Sequence, residues 1–513
     1  MKLKIAAWVI LIALSAVSTV VRSTSPEDEL VFGQTFMADS MNATDGSNGW
    51  ALVSHGIAQN LFTVSQEGEI VPQVAEKVSR VSPNEFKIHI KPNIKFSDGT
   101  PVTAADVAKA LQTANEQNPN AQSSLGSIEA EPLDDNTVHV VSEDPTHIPE
   151  SVFAEWAWPI FKVNDEGGYV FTGPYQVDEF ADGEHIKLLP NEYYPGHEKR
   201  PHIVIQKFGD GDELAKATAD GDVDVAFHLP VTSLPAVSDA DGIQGRSFPV
   251  GYTNMAVYNL CNASSPIQDI RVRQALDVAI SREEMSESLA GGNPTRSFFP
   301  AETPFFYEPA EPTEPTEPAE LLDAAGWTLD PETGKRTNSE GEDLELRVVA
   351  YPHRPGLPVL AGVIEETLSD LGISVDKVVT GDDWDETQTI IDGGDFDILL
   401  WAQHSLPAGD PLWFLNAFFG SGNAKNMGCY NSSIVDGMLE ELSGIDDTAA
   451  RVKAQANIQQ QVFEDLPISN LLTPEWHVGL SDRVAGYEPY GSDFYVIRDD
   501  LHSNGEQYTT AVS

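Results

Sequence analysis

The sequence predicts an α/β protein of two or three domains that is exported. Three observations carry this. The chain has 513 residues, more than one hydrophobic core organises. Short apolar runs of period two alternate with helix-period runs along most of it. Between residues 343 and 380, a strand, a helix stopped by glycine and a second strand follow one another, the order of a β-α-β unit with a mixed or parallel sheet. Apolar residues make up 41% of the chain, enough to fill such cores, so wholesale disorder is not expected.

The N-terminus reads MKLKIAAWVILIALSAVSTVVRSTS. Lys2 and Lys4 form a basic region ahead of an apolar stretch from Ile5 to about Val17. That stretch is short for a membrane span and small residues follow it, the pattern of a secretory signal over residues 1–23. Val21 and Ser23 fit the small positions of a cleavage site, and an uncleaved anchor is the alternative. No cysteine lies near this end, so a lipoprotein anchor is not expected, and no later segment is apolar for long enough to span a bilayer.

The elements follow in order. "EFKIHIKPNIKF" (85–96) alternates apolar and polar residues as a half-buried strand does. "SDGTPVTAADVAKAL" then predicts a helix with Thr103 as N-cap and Asp106 closing a capping box. "NTVHVVS" and "HIKLLPN" read as strands, and "DELAKATADGDVDVAF" as helix, glycine turn and strand. "DIRVRQALDVAISREEMSESL" (269–289) has the pattern of one long amphipathic helix. "EPAEPTEPTEPAE" (308–320) is a Pro/Glu repeat, expected to be an extended connector. It leads into "AELLDAAGW", a helix closed by Gly326. "DLELRVVAY", "VLAGVIEETLSDLG", "ISVDKVVT" and "FDILLWA" complete the β-α-β pattern.

Thirty basic residues stand against eighty acidic ones, a formal charge of −50. Such a surface repels nucleic acid and anionic lipid, so neither is an expected partner. Adaptation to a salty medium explains most of that charge. Cys261 and Cys429 are the two cysteines. In an exported protein an even count permits one disulfide, and two buried thiols are the alternative. A bridge across so long a loop would stabilise by roughly 4–5 kcal/mol in the chain-entropy model.

Catalytic motifs are missing from the sequence: there is no G-x-S-x-G, no phosphate-binding G-x-x-x-x-G-K-[ST], no H-E-x-x-H and no paired CxxC. "DGDVDV" from Asp220 imitates a calcium loop but places Val225 where the turn needs glycine and Val231 where a bidentate glutamate belongs. No cofactor is expected.

Six stretches, in order, resemble one family. They are "GEIVPQVAEKV" (68–78), "FSDGTPVTAADV" (96–107), "FTGPYQVDEF" (171–180), "DIRVRQALDVAISREEM" (269–285), "AELLDAAGW" (319–327) and "GDFDILLWAQHSLPAGDP" (394–411). Together they resemble the solute-binding proteins of ABC importers, in the peptide- and nickel-binding class, bacterial extracellular family 5. The resemblance implies a two-lobed periplasmic-binding-protein fold with a hinge and ligand cleft. Lobe I would span 24–259 with an inserted subdomain at about 60–165. Lobe II would span 260–475, and 476–513 would return to lobe I. The hinge crossings would lie near Tyr258–Asn259 and Pro474–His477. Both cysteines fall in lobe II, and some relatives carry a comparable bridge.

The resemblance also orders the site residues. "HRPGLPVLAGVIEETLSDLGI" (353–373) resembles a cleft-facing loop in which an arginine grips a ligand carboxylate, and Arg354 would do so here. A guanidinium makes two parallel hydrogen bonds to a carboxylate, and Pro355 would restrict the loop. A structural ion pair with one of the many acids is the alternative. His55, His404 and His477 lie in segments that resemble cleft or hinge regions and would be polar contacts, with His55 and His477 as candidate metal contacts and nickel as part of the ligand. Trp158 and Trp401 would be walls, and Asp410 a contact or a turn residue. Two departures stand out. Trp158 replaces the second arginine of many metal-chelate binders, and no acid lies between Trp401 and Gly409, where dipeptide binders hold an amino group.

The expected function is therefore capture of a short peptide or a nickel chelate in the periplasm by hinge closure, without bond chemistry, for delivery to an inner-membrane ABC permease. A monomer is expected. The alternatives are an exported hydrolase working through two carboxylates and a chemosensory binding protein of the same fold.

Overall fold

The structure is a computed structural model. It describes residues 29–502 except 67–68, 147, 302, 311–316, 355, 382–383, 407–409, 424 and 485. The signal segment, Pro355 and residues 311–316 of the Pro/Glu repeat lie outside the described residues.

Two sheets organise the chain. The first has seven strands in the order Tyr175–Ala181, His185–Pro190, His202–Lys207, Glu29–Gln34, Val225–Phe227, Glu475–Ser481 and Ile243–Pro249. The second has six: Asn293–Pro294, Ile468–Thr473, Tyr252–Tyr258, Ile398–His404, Glu345–Ala350 and Ser374–Val379. In the second, Glu345–Ala350 runs parallel to both Ser374–Val379 and Ile398–His404. The helix Gly356–Asp370 makes the first crossover, so the β-α-β unit forms as its pattern requires.

A four-stranded antiparallel sheet, Ala75–Ser82, Glu85–Ile90, Thr137–Ser142 and Ile128–Asp134, stands within the first lobe. Phe86, Ile88 and Ile90 alternate inward and are buried, each worth about 1.5–3 kcal/mol of apolar transfer. Val107, Leu111 and Ala114 of the helix Ala104–Gln117 are also buried, and the helix packs on this sheet. Its start is the expected capping box: Thr103 Oγ1 accepts from the Asp106 N–H (3.3 Å), and Asp106 Oδ2 accepts from the Thr103 N–H (3.0 Å).

One helix differs from expectation. Residues 269–289 form two helices, Ile270–Ala279 and Arg282–Ser288, not one. Ile280 takes an extended backbone, and Ser281 Oγ caps the second helix by accepting from the Glu284 N–H (3.1 Å). The break carries Arg282 into the core, where its Nε donates to Asn470 O (2.9 Å) and its guanidinium pairs with buried Asp277. Amphipathic periodicity is blind to such a break, because both halves keep the same apolar face.

The chain passes between the two sheets twice. It leaves the first at Pro249, enters the second at Tyr252, and returns at Pro474 between Ile468–Thr473 and Glu475–Ser481. The crossings are adjacent, with the Val250 N–H donating to Pro474 O (3.4 Å). The first crossing thus precedes the Tyr252–Tyr258 strand. Every residue of that strand is buried and it is paired on both edges, so it belongs wholly to the second sheet. Cys261 and Cys429 form a disulfide with a Cα–Cα distance of 5.1 Å.

Candidate functional site

A cavity opens beside the two crossings. The first lobe contributes His228, from the end of Val225–Phe227, and Trp476 and His477 from the returning strand. The second contributes Tyr252, Asn254 and Arg354. The mix of aromatic walls with a few polar groups suits a small organic ligand.

Arg354 follows the Glu345–Ala350 strand, at the mouth of the β-α-β unit, where open α/β sheets place ligands. Its Nη2 donates to the Tyr252 hydroxyl (3.1 Å), and its guanidinium lies 5.0 Å from the Tyr252 ring centre and 5.8 Å from that of Trp476. Its Nη1 is 3.8 Å from Asp493 Oδ2, close enough for attraction and too far for a hydrogen bond. Burial works against the charge, but Tyr252 and Asp493 outweigh it and hold the guanidinium protonated beyond its ordinary range. The Tyr252 bond is its one hydrogen bond among the described residues, so most of its five donors are open to a ligand.

Asp493 comes from the C-terminal segment of the first lobe, where its backbone carbonyl accepts from Ser54 Oγ (2.5 Å). The residue is 1% exposed. Burial pushes its carboxyl up to about 6, with Arg354 pulling the other way. His228 Nε2 stands 3.5 Å from Asp493 Oδ2. His228 holds a left-handed φ of 68° and meets Trp476 edge to face at 4.3 Å. Burial, helped by Arg354, lowers its pKa to about 3, so it is neutral at pH 7.

The residues singled out from the sequence scatter. Arg354 and His477 line the cavity. Both nitrogens of His477 are engaged: Nδ1 pairs with Ser247 Oγ (2.8 Å) and Nε2 with Leu289 O (3.3 Å), leaving no lone pair for a metal. His55 is fully buried outside the lining. Its Nε2 accepts from the Ala38 N–H (3.3 Å), and its ring stacks on Phe36. His404 packs edge-on against Tyr252 at 5.2 Å, behind the lining. Trp158 lies in the core of the first lobe against Phe153, and Trp401 backs Tyr351 at 5.2 Å. Asp410 caps the helix Pro411–Phe419 through the Leu412 N–H (2.9 Å) and takes a two-pronged ion pair from buried Arg451 (2.9 and 2.6 Å), which is a structural role. Among the described residues, no three His, Cys, Asp or Glu side chains converge to hold a metal ion.

Sequence reasoning missed His228, Tyr252, Asn254, Trp476 and Asp493. Trp476 sits in the return segment already singled out for His477. The others had no local signal, since each reaches the site only through the packing of segments distant in the chain.

Residues 69–426 match the family model for bacterial extracellular solute-binding proteins, family 5 middle region. The nickel-binding protein NikA of Staphylococcus aureus is 24% identical over 459 residues, covering 87% of this chain and 89% of that protein. The probable D,D-dipeptide-binding periplasmic protein DdpA of Escherichia coli is 23% identical over 502 residues, covering 91% and 93%. Among solved structures, Staphylococcus aureus NikA in complex with Ni(L-His)2 aligns with a TM-score of 0.77 at 22% identity, covering 93% of this chain and 100% of that one. The Bacillus subtilis oligopeptide-binding protein AppA in complex with a nonapeptide aligns with a TM-score of 0.72 at 19% identity, covering 90% and 96%. The two-lobed fold is common to them.

Proposed function

The chain belongs to family 5 of the bacterial extracellular solute-binding proteins, and on that premise we propose that it captures a small carboxylate-bearing solute in its cleft and delivers it to an ABC importer. Closure of two lobes on a ligand that touches both shifts the population from open to closed and makes no bond. The ligand is a short peptide or a nickel chelate of small carboxylates, the two kinds that the names of the relatives carry. The protein works as an exported periplasmic monomer. Those relatives are binding proteins, and the two-carboxylate hydrolase has no support.

The observation that carries this reading is Arg354: a permanently charged guanidinium on the cavity wall, braced by Tyr252 and Trp476, with one hydrogen bond of its own among the described residues. A carboxylate from solution completes it with two parallel hydrogen bonds. Since no three-residue metal site exists among the described residues, nickel would enter with its own chelator.

Isothermal titration of metal-stripped protein tests this, with Ni²⁺ alone, Ni²⁺ plus excess L-histidine, and a mixed di- and tripeptide pool. Heat in the second or third arm is expected. Heat with Ni²⁺ alone, or in no arm, contradicts the reading.

A further inference from the structure

The cavity that holds Arg354 also holds a carboxylate. Glu475 opens the returning strand directly after the Pro474 crossing, and its side chain lines the cavity. Among the described residues nothing donates to that carboxylate and no cation pairs with it. The carboxylate lies close against the backbone of Gly291, where a Cβ would stand 2.4 Å from Glu475 Oε2.

A second group points the same way. Asn254 lies on the Tyr252–Tyr258 strand, is 4% exposed and lines the same cavity. Its side-chain amide has no hydrogen-bond partner among the described residues. That amide opens onto the cavity, where a ligand can complete it. Asp493 is not a competing group, since it lies against Arg354 and His228 and does not line the cavity.

We infer that Glu475, supported by Asn254, is an ammonium subsite, so that the ligand carries a free ammonium as well as the carboxylate held by Arg354. The inference rests on the reading of Arg354 above. It selects a short peptide with both termini free. A polycarboxylate would meet repulsion at Glu475. A nickel–histidine chelate has its amines on the metal and offers no ammonium. The chain has no acid between Trp401 and Gly409 to hold an amino group, and Glu475 supplies one from a different strand.

The test titrates metal-stripped protein with a lysine-free di- and tripeptide pool, with the same pool N-acetylated, with the same pool C-amidated, and with Ni²⁺ plus L-histidine. Wild type, Glu475→Gln and Arg354→Ala are compared, with thermal melts to check folding. Wild type is expected to bind the free pool, and acetylation to weaken binding about tenfold or more, the usual worth of a charge-assisted hydrogen bond. Glu475→Gln should weaken the free pool by a similar factor, and acetylation should then cost little more. Equal binding of free and acetylated pools by wild type overturns the inference. So does a Glu475→Gln protein that binds the free pool as wild type does, or a wild type that takes nickel–histidine and no peptide. Should Glu475→Gln fail to fold, the acetylation arm on wild type decides alone. Indifference to C-amidation and to Arg354→Ala would instead remove the carboxylate reading, while the acetylation arm still scores Glu475.

Discussion

Arg354 and Asp493 face each other across the two lobes with 3.8 Å between Nη1 and Oδ2, and among the described residues no group donates a hydrogen bond to either carboxylate oxygen of Asp493. The pair is attracted but not closed. Asp493 therefore tempers the charge of Arg354 without occupying the donors that a ligand carboxylate needs. Asp493→Asn removes the tempering charge at nearly constant shape. At pH 7 the empty protein should be no less stable, since burial already makes the ionised carboxyl costly and the variant removes that charge. A carboxylate ligand should then raise the melting temperature by more than it does in wild type. Thermal melts with and without ligand check both.

Asp410 tests a structural assignment. Arg451 is fully buried and holds Asp410 through two bonds. Asp410→Asn should cost about 3–5 kcal/mol by stranding that guanidinium, with ligand affinity of the folded fraction unchanged. Lost affinity at unchanged stability would return Asp410 to the cleft.

Acid should weaken the fold. Burial depresses His55, His228 and His404 to about 3 each, with Arg354 adding to the last two. The folded values lie below the ordinary 6.5, so as pH falls through 6.5 the unfolded chain takes up protons that the fold refuses, and stability drops. At pH 5 each histidine costs on the order of 2 kcal/mol. Two acids act with the opposite sign. Burial raises Asp493 to about 6 and Glu155 to about 7, so their cost above those values is relieved as pH falls toward their unfolded values. Three histidines outweigh two acids, and below about pH 4 only the histidines continue. The melting temperature should fall from pH 7 to 5 and more steeply below pH 4, and His55→Gln should flatten that slope. An unchanged slope in the variant would contradict the account.

The sequence carried those parts of the fold that local physics dictates. Period two in residues 85–90, the Thr103–Asp106 box and the β-α-β pattern around Arg354 each need only neighbouring residues, and each formed. The break at Ile280–Ser281 was hidden because its cause, Arg282 bonding to Asn470, lies almost two hundred residues away in the chain. The site divides in the same way. Arg354 was legible because a lone arginine stood in a proline-bounded loop after a strand. Asp493 was one acid among eighty, and only the packing of the C-terminal segment against the first lobe distinguishes it. The histidines misled for a related reason. Burial makes His55 and His404 neutral packing groups, and a sequence does not show burial.

The most direct test of the central claim is the affinity of Arg354→Ala and Arg354→Lys, relative to wild type, for whichever carboxylate ligand the wild type binds in titration. The account predicts a loss of about a hundredfold or more in the alanine variant and partial recovery with lysine, which keeps the charge but not the two-pronged geometry. Wild-type affinity in a folded Arg354→Ala protein would make the arginine structural and contradict the account.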